Sequence, residues 1–224
     1  MNKIVKIVSS SIIAVSMTTV AFAGANFGIS ANHVKMTTDG SETLKQSSNV
    51  TKKSVSKTAT IPSVFFEYEF DGGFVLGLDM IPGEADIGGS KSTASTMAMN
   101  NGAASAHEDR AITKTASASL SNHNTLYAEY HMAGFFVRVG AGQVTLLTEE
   151  SLPTGASYPN ADLNFKTAGI GYRHVTDSGM FIKAFVSKST YDEAVLKSTG
   201  SDAVTTIKGE PETDTFSIAI GKQF

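Results

Sequence analysis

Few residues of this 224-residue chain have the chemistry of a hydrolase. His33 and His123 lie near the ends of predicted strands, and Ser121 and Ser187 are the serines that could stand beside them. A nucleophilic serine needs a histidine and a carboxylate within hydrogen-bond distance, and the spacing of these residues does not indicate such convergence. A lipid-modifying enzyme therefore stays an alternative. The preferred interpretation is that the histidines are structural polar groups, so no catalytic residue is assigned.

Acidic residues could hold a divalent cation through their oxygen atoms, but their spacing follows no ligand pattern. They fall in two segments: Glu149 and Glu150, then Asp192, Glu193, Asp202, Glu210, Glu212 and Asp214. The chain has no cysteine, which excludes thiolate metal sites and disulfides, and it contains no phosphate-binding loop or H-E-x-x-H motif. We therefore expect no cofactor and no metal. A net charge of −3 without a basic stripe argues against nucleic acid as a partner.

The N-terminus has the features of an export signal. Lys3 and Lys6 precede an uncharged, mostly apolar stretch, and Ala21-Phe22-Ala23 then supplies the small-x-small pattern of a signal-peptidase site. We predict a cleaved signal peptide over 1–23 and one β-barrel domain over 24–224.

Two-residue periodicity recurs along the rest of the chain and predicts eight strands. Their connections alternate strictly between short turns and long polar segments at about 37–59, 82–124, 148–162 and 192–214. This alternation is typical of an all-β, eight-stranded antiparallel up-and-down transmembrane β-barrel with long extracellular loops. The predicted strands are Ala25–Met36, Thr60–Phe70, Phe74–Ile81, Thr125–Met132, Phe135–Leu147, Leu163–His174, Met180–Tyr191 and Thr215–Phe224.

The hairpin around Ala133-Gly134 indicates how the strands pair. A two-residue turn places Met132 opposite Phe135, which leaves one face entirely apolar and sets Glu129 directly opposite Arg138 on the other face. In a membrane barrel the apolar face meets lipid and the charged face fills the lumen. We therefore predict Glu129 and Arg138 as a structural lumen pair. The other charged lumen candidates are Glu67, Glu69, Asp79, Arg173 and Lys183.

Strand six is the least regular of the eight. Ala168, Ile170 and Tyr172 continue the lipid-facing pattern, but Lys166 would extend it, so either a bulge intervenes or the lysine reaches headgroup level. Aromatic residues gather at the short-turn ends, as in an interfacial girdle. They are Phe70, Phe74, Phe135, Tyr172 and Phe224.

With its predicted signal peptide, eight alternating strands and C-terminal FSIAIGKQF, the chain resembles the small outer-membrane β-barrels of the opacity-protein type. The resemblance implies that Phe216, Ile218, Ile220 and Phe224 form the terminal signal read by the barrel-assembly machinery. It also implies the bacterial outer membrane as the location, with membrane lipid and an unknown extracellular partner as contacts.

The function expected from these features is a structural or surface-interaction role, such as envelope integrity or adhesion. A narrow porin-like conduit for small solutes is the variant of this role that stays open. Two other classes stay open. One is an outer-leaflet lipid-modifying enzyme, and the other is a secreted soluble barrel that binds a small apolar ligand. The soluble barrel requires apolar residues to face inward and charges to face outward.

Overall fold

A computed structural model describes residues 24–43, 50–96, 110–151, 157–199 and 206–224. The predicted signal peptide over 1–23 lies outside the described residues, as does Asp202. The described chain is all β and closes into a barrel, which confirms the predicted fold class. It contains no helix long and apolar enough to cross a membrane.

The described residues form nine strands joined by antiparallel pairing. Neighbours in sequence pair from β1 to β7, β7 pairs with β9, and β9 pairs back to β1. Strand β8 pairs with β9 just beyond the residues of β9 that pair with β7. It therefore continues the line of β7 after an interruption at Asp192 and Glu193, and the barrel wall is eight strands around. The bounds are β1 Ala25–Thr43, β2 Val50–Glu69, β3 Phe74–Thr96, β4 Arg110–Met132, β5 Phe135–Ser151, β6 Ala161–Val175, β7 Met180–Tyr191, β8 Ala194–Lys197 and β9 Thr206–Gln223.

The pairing register fixes the tilt of the strands. We can start at Asn164 of β6 and step from each residue to its pairing partner on the next strand. This path passes through Met80 and Ile29 and, after one turn around the barrel, returns to β6 at His174, ten residues from its start. A shift of ten over eight strands corresponds to a tilt of roughly 40°. Such a barrel is just wide enough for its own side chains to fill the interior.

The outer face carries a continuous belt of apolar side chains. Each strand contributes about four outward-facing residues to it, so the height of the belt along the barrel axis is roughly 20 Å. Ile29, Met132 and Phe135 are 59%, 69% and 65% exposed. This orientation is opposite to that of a soluble barrel with an apolar interior. Beyond the belt, polar residues replace the apolar outward side chains on several strands. They include His33, Asn124, Gln143, Lys166, Lys188 and Asp214.

We call the end with the short turns the turn end and the opposite end the distal end. The N-terminal and C-terminal strands meet at the turn end, where the Gly24 amide donates to the Phe224 carbonyl oxygen at 3.1 Å. Ala133 and Gly134 have φ values of 53° and 85°, which fit a tight hairpin turn. Aromatic rings cluster at this end, with Phe135 and Tyr172 centroids 5.1 Å apart.

The strands continue well past the bounds predicted from sequence. Of the segments predicted as loops, 37–59, 82–124 and 192–214 are largely strand in their described parts, and 148–162 is strand at both ends, with 157–160 outside any strand. Parts of them, 44–49, 97–109, 152–156 and 200–205, lie outside the described residues. The prediction was wrong because serine- and threonine-rich sequence resembles loop sequence, yet antiparallel ladders can extend into water with polar side chains on both faces. In β6 the register is unbroken and Lys166 is exposed on the outer face, as expected for a lysine that reaches the edge of the belt.

Candidate functional site

The lumen at the level of the belt holds a buried network of charges. The Nε of Arg138 donates to Oε1 of Glu129 at 2.7 Å, and the two residues are directly paired across β4 and β5. Lys183 donates to the other Glu129 oxygen at 2.7 Å, and His131 also contacts that oxygen at 2.7 Å. The structure thus brings the predicted lumen pair together and adds partners from β7 and β4.

Glu67 completes this network from β2. Lys183 forms an ion pair with Glu67, whose Oε1 also accepts a hydrogen bond from the Tyr127 hydroxyl at 2.7 Å. Glu67, Glu129 and Lys183 are at most 1% exposed. Two carboxylates and two cations therefore balance each other in a site where an unpaired charge would be costly. The guanidinium of Arg138 also lies 3.9 Å from the centre of the Tyr127 ring.

Aromatic side chains that point into the lumen pack directly over glycines on the neighbouring strands. The glycines lack a Cβ, and a Cβ placed on any of them would lie within 2.5 Å of the ring opposite. Each ring therefore lies flat against the wall only because its partner is glycine. The directly paired residues are Gly28 with Phe65, Gly77 with Tyr127, Gly142 with Phe165, Gly171 with Phe136, and Gly221 with Phe181.

A second polar group lies nearer the turn end. Arg173 donates to Glu69 at 2.8 Å and to Gln223 at 3.3 Å, which joins β6, β2 and β9. Its guanidinium carbon is 4.3 Å from the centre of the Phe181 ring. Together with the network above it, this contact fills the lumen from the turn end to the middle of the belt.

The distal half of the interior has the opposite character, because its inward side chains are mostly apolar. A buried cluster there joins residues of β1, β5, β6, β7 and β8. This cluster was not predicted from the sequence, because most of its residues lie at or beyond the ends of the predicted strands. Its buried members are Met36, Val144, Leu146, Leu163, Phe165, Tyr191, Ala194 and Leu196.

The wall beside this cluster has a seam between β2 and β3. In the described residues their pairing stops at Val64 and Met80, although both strands continue toward the distal end. If the same register continued, Pro62 would lie opposite Pro82, two residues beyond the last observed pair; we call such a pair of opposite residues a rung. In an antiparallel ladder every second rung exchanges two backbone hydrogen bonds. The Phe70 amide donates to the Phe74 carbonyl oxygen, so the 70–74 rung is of this kind, and counting by twos shows that the 62–82 rung is as well. Proline has no amide hydrogen, so neither bond of that rung can form.

An apolar cavity of about 120 Å³ lies inside the seam. One of its sides comes from β2, β3 and the adjacent strand β4, with Ala59, Ile61, Ile81, Ala85 and Leu120, and its far side includes Phe165. Its floor reaches Arg138 and Asp79, at the top of the charged network. Lys57 and Asp86 form an ion pair of 2.9 Å between β2 and β3, on the distal part of the seam. The cavity is therefore closed by the network below and bordered by an unpaired stretch of wall.

His123 projects into this cavity from a β4 bulge beside Asn122, whose φ is 53°. Its ring stacks on Phe165 with centroids 4.6 Å apart, and its Nε2 lies 3.3 Å from the Tyr191 hydroxyl. His123 and Tyr191 lie on the distal side of the belt. Burial lowers the pKa of His123 to about 4 and raises the pKa of Tyr191 to about 12, so both side chains are neutral near pH 7.

The four residues weighed for hydrolysis do not form one site. The His33 ring is on the exposed face of β1 and contacts Thr60 at 3.2 Å. Ser121 is paired with Thr145 on the strand, whereas Ser187 lines the cavity that His123 enters. Among the described residues, the His123 ring contacts Tyr191 and Phe165, and neither contact leads to a serine or a carboxylate.

Three of the acidic residues considered as possible cation ligands have partners of their own. Glu193 and Glu212 pair with Lys208 and Lys188 at 3.0 and 2.6 Å. Glu150 accepts a hydrogen bond from the Tyr158 amide. In the described part of the chain, three or more metal-ligating side chains do not come together anywhere.

The four residues of the C-terminal pattern all lie on the outward face of the last strand or at its end. Phe216, Ile218, Ile220 and Phe224 are 47–49% exposed, and the first three belong to the apolar belt. The cavity itself was not predicted from the sequence, although Asp79, His123, Arg138 and Ser187 on its wall were named there in other roles. The pair Pro62 and Pro82 was the available signal, since two prolines at one rung of a predicted hairpin predict the end of its ladder.

Comparison with solved structures finds similar folds among outer-membrane proteins. OprG of Pseudomonas aeruginosa is 9% identical over 90% of this chain and 98% of that one, with a TM-score of 0.52. The outer membrane protease OmpT of Escherichia coli is 10% identical over 89% and 96% of the two chains, with a TM-score of 0.47. Neisserial surface protein A is 10% identical over 90% and 98%, with a TM-score of 0.40. At these identities the likeness to OprG shows the fold alone. No family model and no curated protein matches the chain.

Proposed function

We propose that this protein is an outer-membrane barrel that takes small apolar molecules from the outer leaflet into a blind cavity through the seam between β2 and β3. The observation that carries the proposal is the seam itself. It begins at Val64 and Met80, where the outer face still belongs to the apolar belt, and it borders an apolar cavity. A molecule dissolved in lipid can therefore reach the cavity without crossing water.

The charged network makes the site a place of binding and not an open channel. The salt-bridged carboxylates and the aromatic rings fill the lumen between the cavity and the turn end. In this proposal the turn end faces the periplasm, the distal end faces the medium, and the barrel-assembly machinery reads the terminal strand. We propose a non-enzymatic role, because the contacts of His33 and His123 lead to Thr60, Tyr191 and Phe165 and form no serine–histidine–carboxylate group.

Toluene is a suitable probe, because an apolar cavity of about 150 Å³ in another protein binds benzene. The protein in lipid nanodiscs would be titrated with toluene at known aqueous activity while methyl resonances are followed by NMR. We expect saturable shifts at Ile81 and Leu120, which line the cavity. Leu76, which is on the outer belt, serves as the control for toluene dissolved in the lipid.

A cavity-filling variant sharpens this experiment. Ala59→Phe places a ring in the cavity from the β2 side and should abolish the saturable shifts without changing those of Leu76. If Ile81 and Leu120 respond no more than Leu76 in the unmodified protein, the binding proposal is wrong.

A structural or surface-interaction role is the second candidate, and the length of the strands favours it. Strands β1 and β2 stay paired as far as Thr43 and Val50, many residues beyond the belt, and Val50 and Val55 are exposed there. Such a projecting sheet offers a surface to an extracellular partner. Deletion of this projection should then abolish attachment of cells to a surface while toluene binding persists.

A further inference from the structure

The distal part of β2 is paired on one side only. On that side it pairs with β1 as far as Thr43 and Val50, and the register has no shift along this length. On the other side, pairing with β3 stops at Val64 and Met80. Among the described strands, none pairs there with the stretch from Val50 to Ser56, and every residue of this stretch is exposed. We call residues 50–56 the open edge.

The direction of the backbone groups along the open edge follows from the two ladders of β2. The Glu69 amide donates to the Gly24 carbonyl oxygen on the β1 side at 2.7 Å, whereas the Phe70 amide donates to the Phe74 carbonyl oxygen on the β3 side. Odd-numbered residues of β2 therefore bond to β1, and even-numbered residues point away from it. Because the β1–β2 register is unbroken, this alternation continues to the distal end of β2. The residues of the open edge whose amide and carbonyl groups point away from β1 are Val50, Lys52, Ser54 and Ser56.

The side chains of the open edge define the strand that it would accept. Lys52 and Lys53 project to opposite faces, and in the described part of the chain neither forms an ion pair. Val55 is 45% exposed and lies on the same face as Lys53. Lysines on a strand edge repel a strand that carries cations and pair with one that carries acids. Since the open edge has no acidic residue, it favours an acidic strand.

The ion pair next to the open edge shows that a carboxylate from the β3 side can reach a lysine of β2. Lys57 and Asp86 are 2.9 Å apart, and their side chains are 38% and 73% exposed. An exposed pair of this kind contributes little stability. The same geometry two rungs further along would set an acidic side chain beside Lys53.

We infer that the open edge binds an extended peptide segment of an extracellular protein as an added β-strand, with acidic residues beside Lys52 and Lys53 and an apolar residue beside Val55. Backbone hydrogen bonds would supply the affinity, and the three side chains the selectivity. The inference rests on the second candidate function, for which it defines the surface and the partner. It does not depend on binding in the cavity.

The probe is the peptide acetyl-TVTEETV-amide, which sets valine opposite Val55 and glutamates opposite Lys53 and Lys52 when it aligns antiparallel to β2. We expect it to bind saturably to the protein in nanodiscs. Hydrogen exchange should slow at the Lys52, Ser54 and Ser56 amides and stay unchanged at Lys53 and Val55, because the odd-numbered amides already bond to β1. Replacing both glutamates of the peptide with lysine, or N-methylating its third and fifth residues, should each weaken binding at least tenfold.

Ser54→Pro tests the same contact from the protein side. It removes an amide that the added strand needs and keeps the β1 pairing, as Pro62 does beside Ala31. We expect peptide binding at least tenfold weaker than in the unmodified protein, and Ser54→Ala, which keeps the amide, should bind normally. If Ser54→Pro fails to fold, the N-methylated peptide makes the same test on the unmodified protein.

Three results would overturn the inference. Equal binding of the N-methylated peptide would exclude strand addition. Binding of dextran sulfate in place of the peptide, unaffected by Ser54→Pro, would assign the lysines to an anionic polysaccharide. A dimer of the protein that Ser54→Pro disrupts would assign the open edge to a second copy of the chain.

The second candidate function can be judged separately from the inference. If the peptide does not bind but deletion of the projecting part of β1 and β2 still abolishes attachment, the inference is wrong and the surface role stands. If that deletion leaves attachment unchanged, the surface role itself is wrong.

Discussion

Pro62 and Pro82 occupy the same rung of the β2–β3 register, two residues beyond the last observed pair, Val64 and Met80. That rung would require an amide hydrogen from each residue, and neither has one. Pro62 still fits beside Ala31 on the β1 side, because the missing hydrogen points toward β3. The two prolines thus interrupt the pairing of β2 with β3 and leave the pairing of β2 with β1 intact.

Replacing both prolines should close the seam. In Pro62→Val/Pro82→Val both hydrogen bonds between positions 62 and 82 become possible, so we expect the two new amides to exchange more slowly than unprotected amides and toluene to associate at least tenfold more slowly than with the unmodified protein. Each single variant restores one bond, and its one new amide should be less protected than in the double variant. Unchanged toluene kinetics in a double variant with protected amides would show that ligands reach the cavity by another route.

The charged network should respond to the loss of one member. Glu129→Leu leaves Arg138 buried without its carboxylate and should lower the free energy of unfolding by about 3–5 kcal/mol. Glu129→Leu/Arg138→Leu removes one charge of each sign and should cost less than the single change. Urea unfolding followed by far-UV circular dichroism is the measurement, since the chain has no tryptophan. A double variant that loses as much stability as Glu129→Leu would contradict this expectation.

The aromatic–glycine pairs predict a steep penalty for one methyl group. In Gly77→Ala the added Cβ would lie 2.3 Å from the Tyr127 ring, which is itself held by Glu67. The expected loss of stability is about 1–3 kcal/mol. Gly209→Ala is the matched control, because its Cβ would meet only the Thr38 methyl, at 3.3 Å. Similar midpoints for the two variants in urea would contradict tight packing of the ring on Gly77.

His123 should make stability depend on pH in a defined window. Burial lowers its pKa from 6.5 to about 4, so between these values the unfolded chain binds more protons than the folded one. The free energy of unfolding should therefore fall as the pH decreases from 6.5 to 4, by at most about 3 kcal/mol from this group. Unfolding of the unmodified protein and of His123→Phe would be compared at several pH values. A difference between them that stays constant from pH 7 to pH 4 would refute the depressed pKa.

Within each hairpin, the turn and the two-residue alternation were enough to predict the strand register and the face on which each side chain lies. The Ala133-Gly134 turn fixed the register of β4 and β5, and that register set Glu129 opposite Arg138 as observed. Alternation then separated the belt from the lumen, because side chains on a strand point to opposite faces in turn. The strand ends were predicted poorly, since a threonine- and serine-rich strand in water has no apolar face to mark it.

The sequence by itself determined the all-β fold, the even strand number, the apolar belt and the pairing within hairpins, because each depends on residues near one another in the chain. Only the tertiary structure decided that Lys183 joins Glu67 and Glu129, that His123, Phe165 and Tyr191 pack against one another, and that an apolar cavity adjoins the seam. These contacts join strands far apart in sequence. Their partners are set by barrel closure and by the ten-residue shift around the wall, which no local pattern encodes.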